Sequence, residues 1–567
     1  MKNTLFLLFF SILFVSCSSD DTEILQQQQE EEDDPIEVIA EGKQSFSIDF
    51  KEIIAKSLSN KTVDLVPDYA LISINDSDGN EILSREKISI VEVDEKYVTE
   101  EITLDAGTYS LTEFIVVDAN DVVISLAPKV NSALSQFIEN SIPFDFTVET
   151  DESAIADVEN IDAAGYVAFD FGYDDLDVMI PNATDSFSLT IDESSDFTPK
   201  TIVLKSITAS NYVVDWGDGT VEDYVSTATD TTEENELTHT YTAVDVYEVT
   251  ISGPLEVIEE FSFYSNTEEG NPYQSNITSA DIEKLILLKK CHIYSGRLSG
   301  LNTSNNTVLE ILELGYNEIT SLDVNNNKNL KRAWLRHNQL TEFDVSQNLE
   351  LEFLWVNGNQ ISNLDVSNNI ALKKLFARDN GISNFDVSNS LELDDIDLSG
   401  NSISSIDLTK NTKLVEINIG ANQLTEIDLS QNTELKRVDL YENQITNIDF
   451  SFNTKLRDIY IHDNLLNTLD VSNNPELERL IIRNNTISTL DISNNLKIFN
   501  LEITGNQFDA IEIDQMIAQI YDQAILNETM NGYVDFKNNP GFNAIAQSTI
   551  DQMNELQADY MWIFNNN

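Results

Sequence analysis

The stretch Leu309-Glu310-Ile311-Leu312-Glu313-Leu314-Gly315-Tyr316-Asn317-Glu318-Ile319 is followed, 21 residues on, by Leu330-Lys331-Arg332-Ala333-Trp334-Leu335-Arg336-His337-Asn338-Gln339-Leu340. The spacing returns without insertion at Asn359, Asn380, Asn401, Asn422, Asn443, Asn464, Asn485 and Asn506. Each unit reads L-x-x-L-x-L-x-x-N-x-L-x-x-L-D-V-S-x-N-x-x. A unit this short cannot enclose its own leucines, so it must stack on its neighbours. A fixed period turns that stack into a coil with strands in parallel. The asparagine after the strand can bond backbone groups left free inside the coil and so form a ladder. A second strand-like segment, from Leu322-Asp323-Val324 to Leu490-Asp491-Ile492, lies across each turn and leaves little room for helices.

This pattern resembles leucine-rich repeats of the short bacterial type, and the whole arrangement resembles the internalin class. The resemblance implies a solenoid whose strand face is concave and open to a ligand. Solenoid ends must be capped. Residues 277–302 keep the apolar spacing with Gly296 in the asparagine position, which reads as a degenerate first repeat. Residues 513–526 and 544–560 read as helices around a strand, Gly532-Tyr533-Val534-Asp535-Phe536, that closes the other end. No sorting domain is expected beyond it.

Ahead of the repeats, residues 44–184 alternate apolar and polar positions, as in Ser45-Phe46-Ser47-Ile48-Asp49-Phe50, with turns such as Asp78-Gly79-Asn80 between the runs. That predicts half-buried antiparallel strands and a β-sandwich. Residues 185–256 contain Val214-Asp215-Trp216-Gly217-Asp218-Gly219-Thr220 and later Thr238-His239-Thr240-Tyr241, and resemble a polycystic kidney disease (PKD) type domain, an immunoglobulin-like sandwich. Trp216 serves as a core anchor, and Asp215, Asp218 and His239 read as parts of a structural turn. The expected fold is therefore mainly β. Two sandwich domains (44–184 and 185–256) precede repeats over 257–512 that include their N-terminal cap, and a small α/β cap follows over 513–567.

Met1-Lys2-Asn3 and the apolar run Leu5 to Val15 have the form of a secretory signal too short to span a bilayer. The run ends Phe14-Val15-Ser16-Cys17, which resembles a bacterial lipoprotein lipobox, with Phe14 where leucine is usual. The resemblance implies removal of residues 1–16, acylation of Cys17 and a tether over 17–43. The acidic residues after Cys17 look like the surface-export signal of Bacteroidetes lipoproteins, which implies an outer-membrane protein exposed at the cell surface. Cys291 lies in an apolar pattern and reads as a buried small hydrophobe.

The chain of 567 residues carries 32 Lys and Arg against 99 Asp and Glu, a formal charge of −67. Such a charge repels nucleic acid, whose binding needs clustered cations. Histidines at 239, 292, 337 and 462 show no metal-ligand spacing. No nucleophile elbow, zinc motif or phosphate loop is present, so the chain does not read as an enzyme.

Residues between the strand leucines point away from the core and stack into columns. Four before the asparagine stand Trp334, Trp355, Phe376 and Tyr460; six before, Arg332, Phe353, Lys374, Arg437 and Arg479; two before, Arg336, Arg378, Tyr441, His462 and Arg483. Six of the nine arginines and two of the four tryptophans fall in these columns. Arg and Trp are enriched at binding hot spots, because they join large area to directed donors. These 14 residues are the expected ligand site, and a protein or glycan at the cell surface is the expected partner of a monomer. A structural stalk without a specific ligand is the alternative, and an accessory subunit for polysaccharide capture a third. The opposite column, Asp323 to Asp491 at the same period, implies no resident cofactor, since serine or threonine two residues on offers a hydrogen-bond partner; calcium held there is the alternative.

Overall fold

The computed structural model describes residues 40–51 and 66–565, apart from 95, 120, 164–165, 167, 175, 177–184, 194–196 and 266–274. Cys17, the leader and all but the end of the tether lie outside the described residues. Among the described residues, no helix is long and apolar enough to cross a membrane.

The N-terminal strands are β1 (Glu41–Lys51), β2 (Pro67–Asp76), β3 (Glu81–Val93), β4 (Lys96–Thr99), β5 (Ile102–Asp105), β6 (Gly107–Asp118), β7 (Val123–Leu126), β8 (Phe144–Val148) and β9 (Ser153–Asp162). They do not form the expected sandwich. Seven of them pair in the order β2-β3-β4-β1-β9-β7-β6, and β6 pairs back onto β2, closing a barrel. The alternation of apolar residues was read correctly: Ala70, Ile72 and Ile74 of β2 are fully buried, as are Leu111 and Phe114 of β6. Alternation assigns each strand one inward face in a barrel and in a sandwich alike; the pairing of β2 with both β3 and β6 distinguishes them. Phe46 packs edge-on against Phe114 and Phe146, at 5.9 and 5.4 Å between ring centroids, and fills the interior.

The next segment has two facing sheets. One contains β12 (Asn211–Asp215), β13 (Val221–Val225), β16 (Asp245–Ser252), β10 (Ser186–Glu193) and β18 (Ile277–Ala280); the other contains β11 (Lys200–Ser206), β14 (Thr227–Ala228), β15 (Leu237–His239) and β17 (Ile258–Ser265). Trp216 is fully buried between them, its indole N–H donating to Glu222 at 2.8 Å while Tyr241 donates to its carbonyl at 2.9 Å. Gly217 has φ +78°, and a Cβ there would sit 2.6 Å from the Glu248 carbonyl, so the turn after Trp216 requires glycine. Asp215 and Asp218 accept from the backbone N–H groups of Gly217 and Thr220, and Asp218 also meets His239 at 2.9 Å. Asp215 and Asp218 build the turn, and His239 of β15 braces it from the neighbouring strand.

β17 belongs to two structures at once. It runs antiparallel to β11 within the sandwich and parallel to β19 (Lys290–Ile293), the next strand of the coil. One sheet of the sandwich thereby continues into a 17-stranded sheet, and the sandwich itself covers the first turn of the solenoid. A buried ion pair braces this junction: Lys200 Nζ lies 2.8 Å from Glu193, both side chains 0% exposed, and Asn276 donates to the same carboxylate.

From there each repeat adds one three-residue strand: Ile311–Glu313, Arg332–Trp334, Phe353–Trp355, Lys374–Phe376, Asp395–Asp397, Glu416–Asn418, Arg437–Asp439, Asp458–Tyr460, Arg479–Ile481 and Asn500–Glu502, labelled β20 to β29. All pair in parallel and in register. The leucines between the columns are sealed: Leu309, Leu312 and Leu314 are fully buried, and so are their equivalents in later repeats. Each asparagine after the strand bonds in the same way. Asn338 accepts from the Ile319 N–H at 3.0 Å and donates to the carbonyls of Leu314 and Leu335.

The second asparagine of the repeat, ten residues further on, builds a second ladder that the sequence pattern marks by position but not by role, with Ser390 the one exception between Asn327 and Asn495. Asn432, fully buried, donates to the carbonyls of Leu408 and Asn411. These bonds account for a further difference. The Leu-Asp-Val side of each repeat is extended, but it makes turns instead of a paired strand, because side-chain amides take the carbonyls that a strand ladder would use. The coil ends in α1 (Ala510–Asn527), β30 (Tyr533–Asp535), α2 (Gln547–Tyr560) and β31 (Ile563–Asn565), two helices that cover the last apolar turn.

Candidate functional site

Register turns the sequence columns into physical ones. Glu313, Trp334, Trp355, Phe376, Asp397, Asn418, Asp439, Tyr460, Ile481 and Glu502 are successive strand partners, and so are Arg332, Phe353, Lys374, Asp395, Glu416, Arg437, Asp458 and Arg479. Trp334, Phe353, Trp355 and Phe376 are half-buried and make one aromatic cluster. Its ring centroids are 5.5–6.3 Å apart and its ring planes are inclined at 54–72°. Edge-to-face contacts of this kind are each worth about 0.5–1.5 kcal/mol beyond area burial. The indole N–H groups of Trp334 and Trp355 are buried without a hydrogen-bond acceptor among the described residues.

The cations of the face divide into two groups. In its C-terminal half they are occupied by carboxylates: Arg437 holds Asp439 through two nitrogens, Arg479 lies 2.7 Å from Asp458, and Arg483 lies 3.4 Å from Glu502. Burial pushes Asp439 and Asp395 above the usual carboxylate range, against the pull of Arg437 and Lys374 respectively. Arg437 also lies over the Tyr460 ring, and Tyr441 stacks on His462, which meets Asp463 at 2.7 Å. Near the aromatic cluster, Lys374 pairs with Asp394 and Asp395, and Arg378 with Asp379. Arg332 is exposed and has no ion pair among the described residues. Arg336 lies over two rings, Tyr316 at 5.0 Å and Trp355 at 4.4 Å.

Tyr316 and His337 belong to this patch and were missed. They stack at 4.6 Å, each one residue before its asparagine. That position is left-handed in every repeat: Tyr316 has φ +58°, His337 +53°, Asp379 +52° and Ala421 +52°, with glycine at 358, 400 and 505. The sequence signal was the recurrence of Gly, Asp, Asn or His at this one position, as at Gly358, Asp379, Gly400, Asp463, Asn484 and Gly505. Gly315 shapes the site as well, since a Cβ there would come within 3.2 Å of the Arg336 side chain. Toward the sandwich, Tyr264 of β17 stacks on Tyr294 at 6.0 Å and extends the aromatic surface. Tyr264 was beyond reach of the repeat pattern, because it joins the face only through the pairing of β17 with β19.

The aspartate column on the other side is built from turns. The carboxylates of Asp344, Asp365 and Asp470 each accept from the backbone N–H two residues on at 2.9 Å. The Ser367 hydroxyl and N–H hold Asp365 below the ordinary carboxylate range, and Ser472 does the same for Asp470. Among the described residues no group of three or more His, Cys, Asp or Glu is arranged to hold a metal. Cys291 is fully buried, and burial pushes its thiol up to about 12. An open polar depression of about 640 Å³ on the barrel is lined by Arg85, Glu113 and Lys129, with Glu113 bridging the two cations.

Register, sealed leucines and asparagine ladders define the coil as a leucine-rich-repeat solenoid. No family model matches the chain, and no curated protein does. Among solved structures it is similar to the functional domain of InlJ from Listeria monocytogenes, at 24% identity over 51% of this chain and 76% of that one, with a TM-score of 0.33. It is also similar to an internalin of the same species (21% identity, 50% and 82% covered, TM-score 0.44) and to a leucine-rich-repeat protein of Leptospira interrogans (21% identity, 50% and 79% covered, TM-score 0.41).

Proposed function

We propose that this chain is a recognition protein that holds a protein or glycan ligand on the strand face of its repeats. In this reading it acts as a monomer, tethered at the cell surface through a lipid on Cys17. The observation that carries the proposal is the patch formed by Trp334, Phe353, Trp355 and Phe376 with Arg332 and Arg336 beside it. Stability is a weak reason for cations on a surface, where an ion pair contributes about 0–1 kcal/mol, and two of these make no ion pair among the described residues. The immunoglobulin-like reading of 185–256 is supported by the buried Trp216 and its glycine turn, and gives that segment a capping and spacing role.

The test is a variant with Trp334, Trp355 and Arg336 all replaced by alanine. It is expected to keep its β-rich circular dichroism and lose binding to cells, matrix proteins or glycan arrays that retain the parent chain. Unchanged binding by a folded variant overturns the assignment of the strand face.

A further inference from the structure

Seven of the nine arginines have a carboxylate within 4.0 Å. Among the described residues Arg332 and Arg336 have none, although the chain carries 99 acidic residues. They stand two residues before and two residues after Trp334. Ala333 and Leu335 between them are fully buried, so Arg332, Trp334 and Arg336 share the outer face of one extended segment. At ~3.3 Å per residue the two guanidinium stems leave the backbone ~13 Å apart, on either side of the aromatic cluster. Arg336 is held between Tyr316 and Trp355, and its planar donors meet no carboxylate among the described residues.

The cluster itself discriminates between ligand chemistries. Stacking on sugar rings needs flat, accessible aromatic faces, and reading hydroxyls needs free donors. Here Trp334, Trp355 and Phe376 are packed edge to face, inclined at 72° and 67°, and both indole N–H groups are sealed. Such a surface is knobbed and apolar, suited to side chains that fit between rings.

Resting on the strand-face reading above, we propose that the ligand is a polypeptide segment that lays apolar side chains on the Trp334–Trp355–Phe376 cluster and places a carboxylate on each of Arg332 and Arg336. The acids are local to that segment, because a wholly acidic partner is repelled by the charge of −67.

The full chain would be assayed against immobilised peptides in which two glutamates four positions apart flank three apolar residues. Controls are the same peptides with lysine or glutamine in place of glutamate, and neutral and uronic-acid oligosaccharides. The glutamate peptides are expected to bind at least tenfold more tightly than either peptide control. Arg332→Glu/Arg336→Glu is expected to reverse that order, a gain of binding that a misfolded chain cannot show. Arg332→Glu alone, at an exposed side chain with no ion pair among the described residues, is expected to weaken glutamate-peptide binding severalfold at unchanged circular dichroism. If Trp355→Ala removes binding while the charge swaps change nothing, the strand face stands and the carboxylate assignment falls. If the oligosaccharides bind and the peptides do not, the polypeptide assignment falls. No binding by any probe overturns the proposed ligand, and binding indifferent to every one of these variants overturns the strand face as well.

Discussion

The guanidinium of Arg336 lies 4.4 Å from the ring centroid of Trp355 and 5.0 Å from that of Tyr316, so one cation is clasped by rings from the repeats on either side of its own. The clasp orders a long side chain before any ligand arrives, which removes about 0.5–1.5 kcal/mol of ordering cost from binding. An ammonium on a flexible stem does not reproduce it. Arg336→Lys is therefore expected to weaken ligand binding several-fold with the folded structure retained, as read by titration of parent and variant; equal affinities would show that the clasp is irrelevant to binding.

Screening offers an independent check on the electrostatics. The field of a chain of charge −67 reaches ~30 Å at 0.01 M salt and ~8 Å at 0.15 M, whereas carboxylate contacts with Arg332 and Arg336 act at short range. Stopped-flow association with a glutamate-flanked peptide should accelerate over that salt range. A rate that falls would mean that long-range attraction, not repulsion, governs the encounter.

The second asparagine ladder has one natural gap. Ser390 occupies the position held by Asn369 and Asn411 in the adjoining repeats, and reaches only the Asn369 carbonyl, at 3.5 Å. Ser390→Asn should restore two buried donations and raise stability by about 1 kcal/mol. Asn432→Ala should lower it by about 2–4 kcal/mol, because two buried carbonyls lose their donors. Urea midpoints that move in the same direction for both variants would refute the ladder's role.

Ala421 sits at φ +52°, where a side chain costs about 1–2 kcal/mol and glycine little. Ala421→Gly is expected to gain about 1 kcal/mol after the loss of glycine's chain entropy, visible as a raised thermal midpoint. A lowered midpoint would mean that the methyl group's contacts outweigh the backbone strain.

Acid should unpick the aspartate column. Asp365, Asp470 and Asp491 are held below the ordinary carboxylate range by the serine two residues on, so each contributes stability that is present above about pH 4 and lost as pH falls through the depressed value. The triple replacement Asp365→Asn, Asp470→Asn and Asp491→Asn keeps an acceptor for each turn but removes the charge. It should be less stable than the parent at pH 7 and equal to it near pH 2. Greater stability at pH 7 would show that repulsion along the column outweighs the hydrogen bonds.

At the junction, Lys200→Met leaves Glu193 buried without its cation and should cost about 3–5 kcal/mol. Glu193→Leu combined with Lys200→Met should recover most of that loss. Equal destabilisation by the single and double variants would assign the effect to packing instead of charge.

Much of this protein was legible in its repeats. Twenty-one residues between successive asparagines brought Trp334 beside Trp355 and Phe376, and the apolar spacing buried Leu312 and Leu335, because a regular coil converts sequence distance directly into position. What the tertiary structure alone decided depends on partners distant in sequence or on competition among neighbours. Alternating residues do not reveal that β2 meets β6 and closes a barrel, nor that β17 serves both the sandwich and the solenoid. Composition does not reveal which arginines find a carboxylate: Arg437 and Arg479 are neutralised by residues that the coil places within reach, while Arg332 and Arg336 stand in a stretch where it places rings. Periodicity sets the direction in which a side chain points, and only packing sets what it meets there.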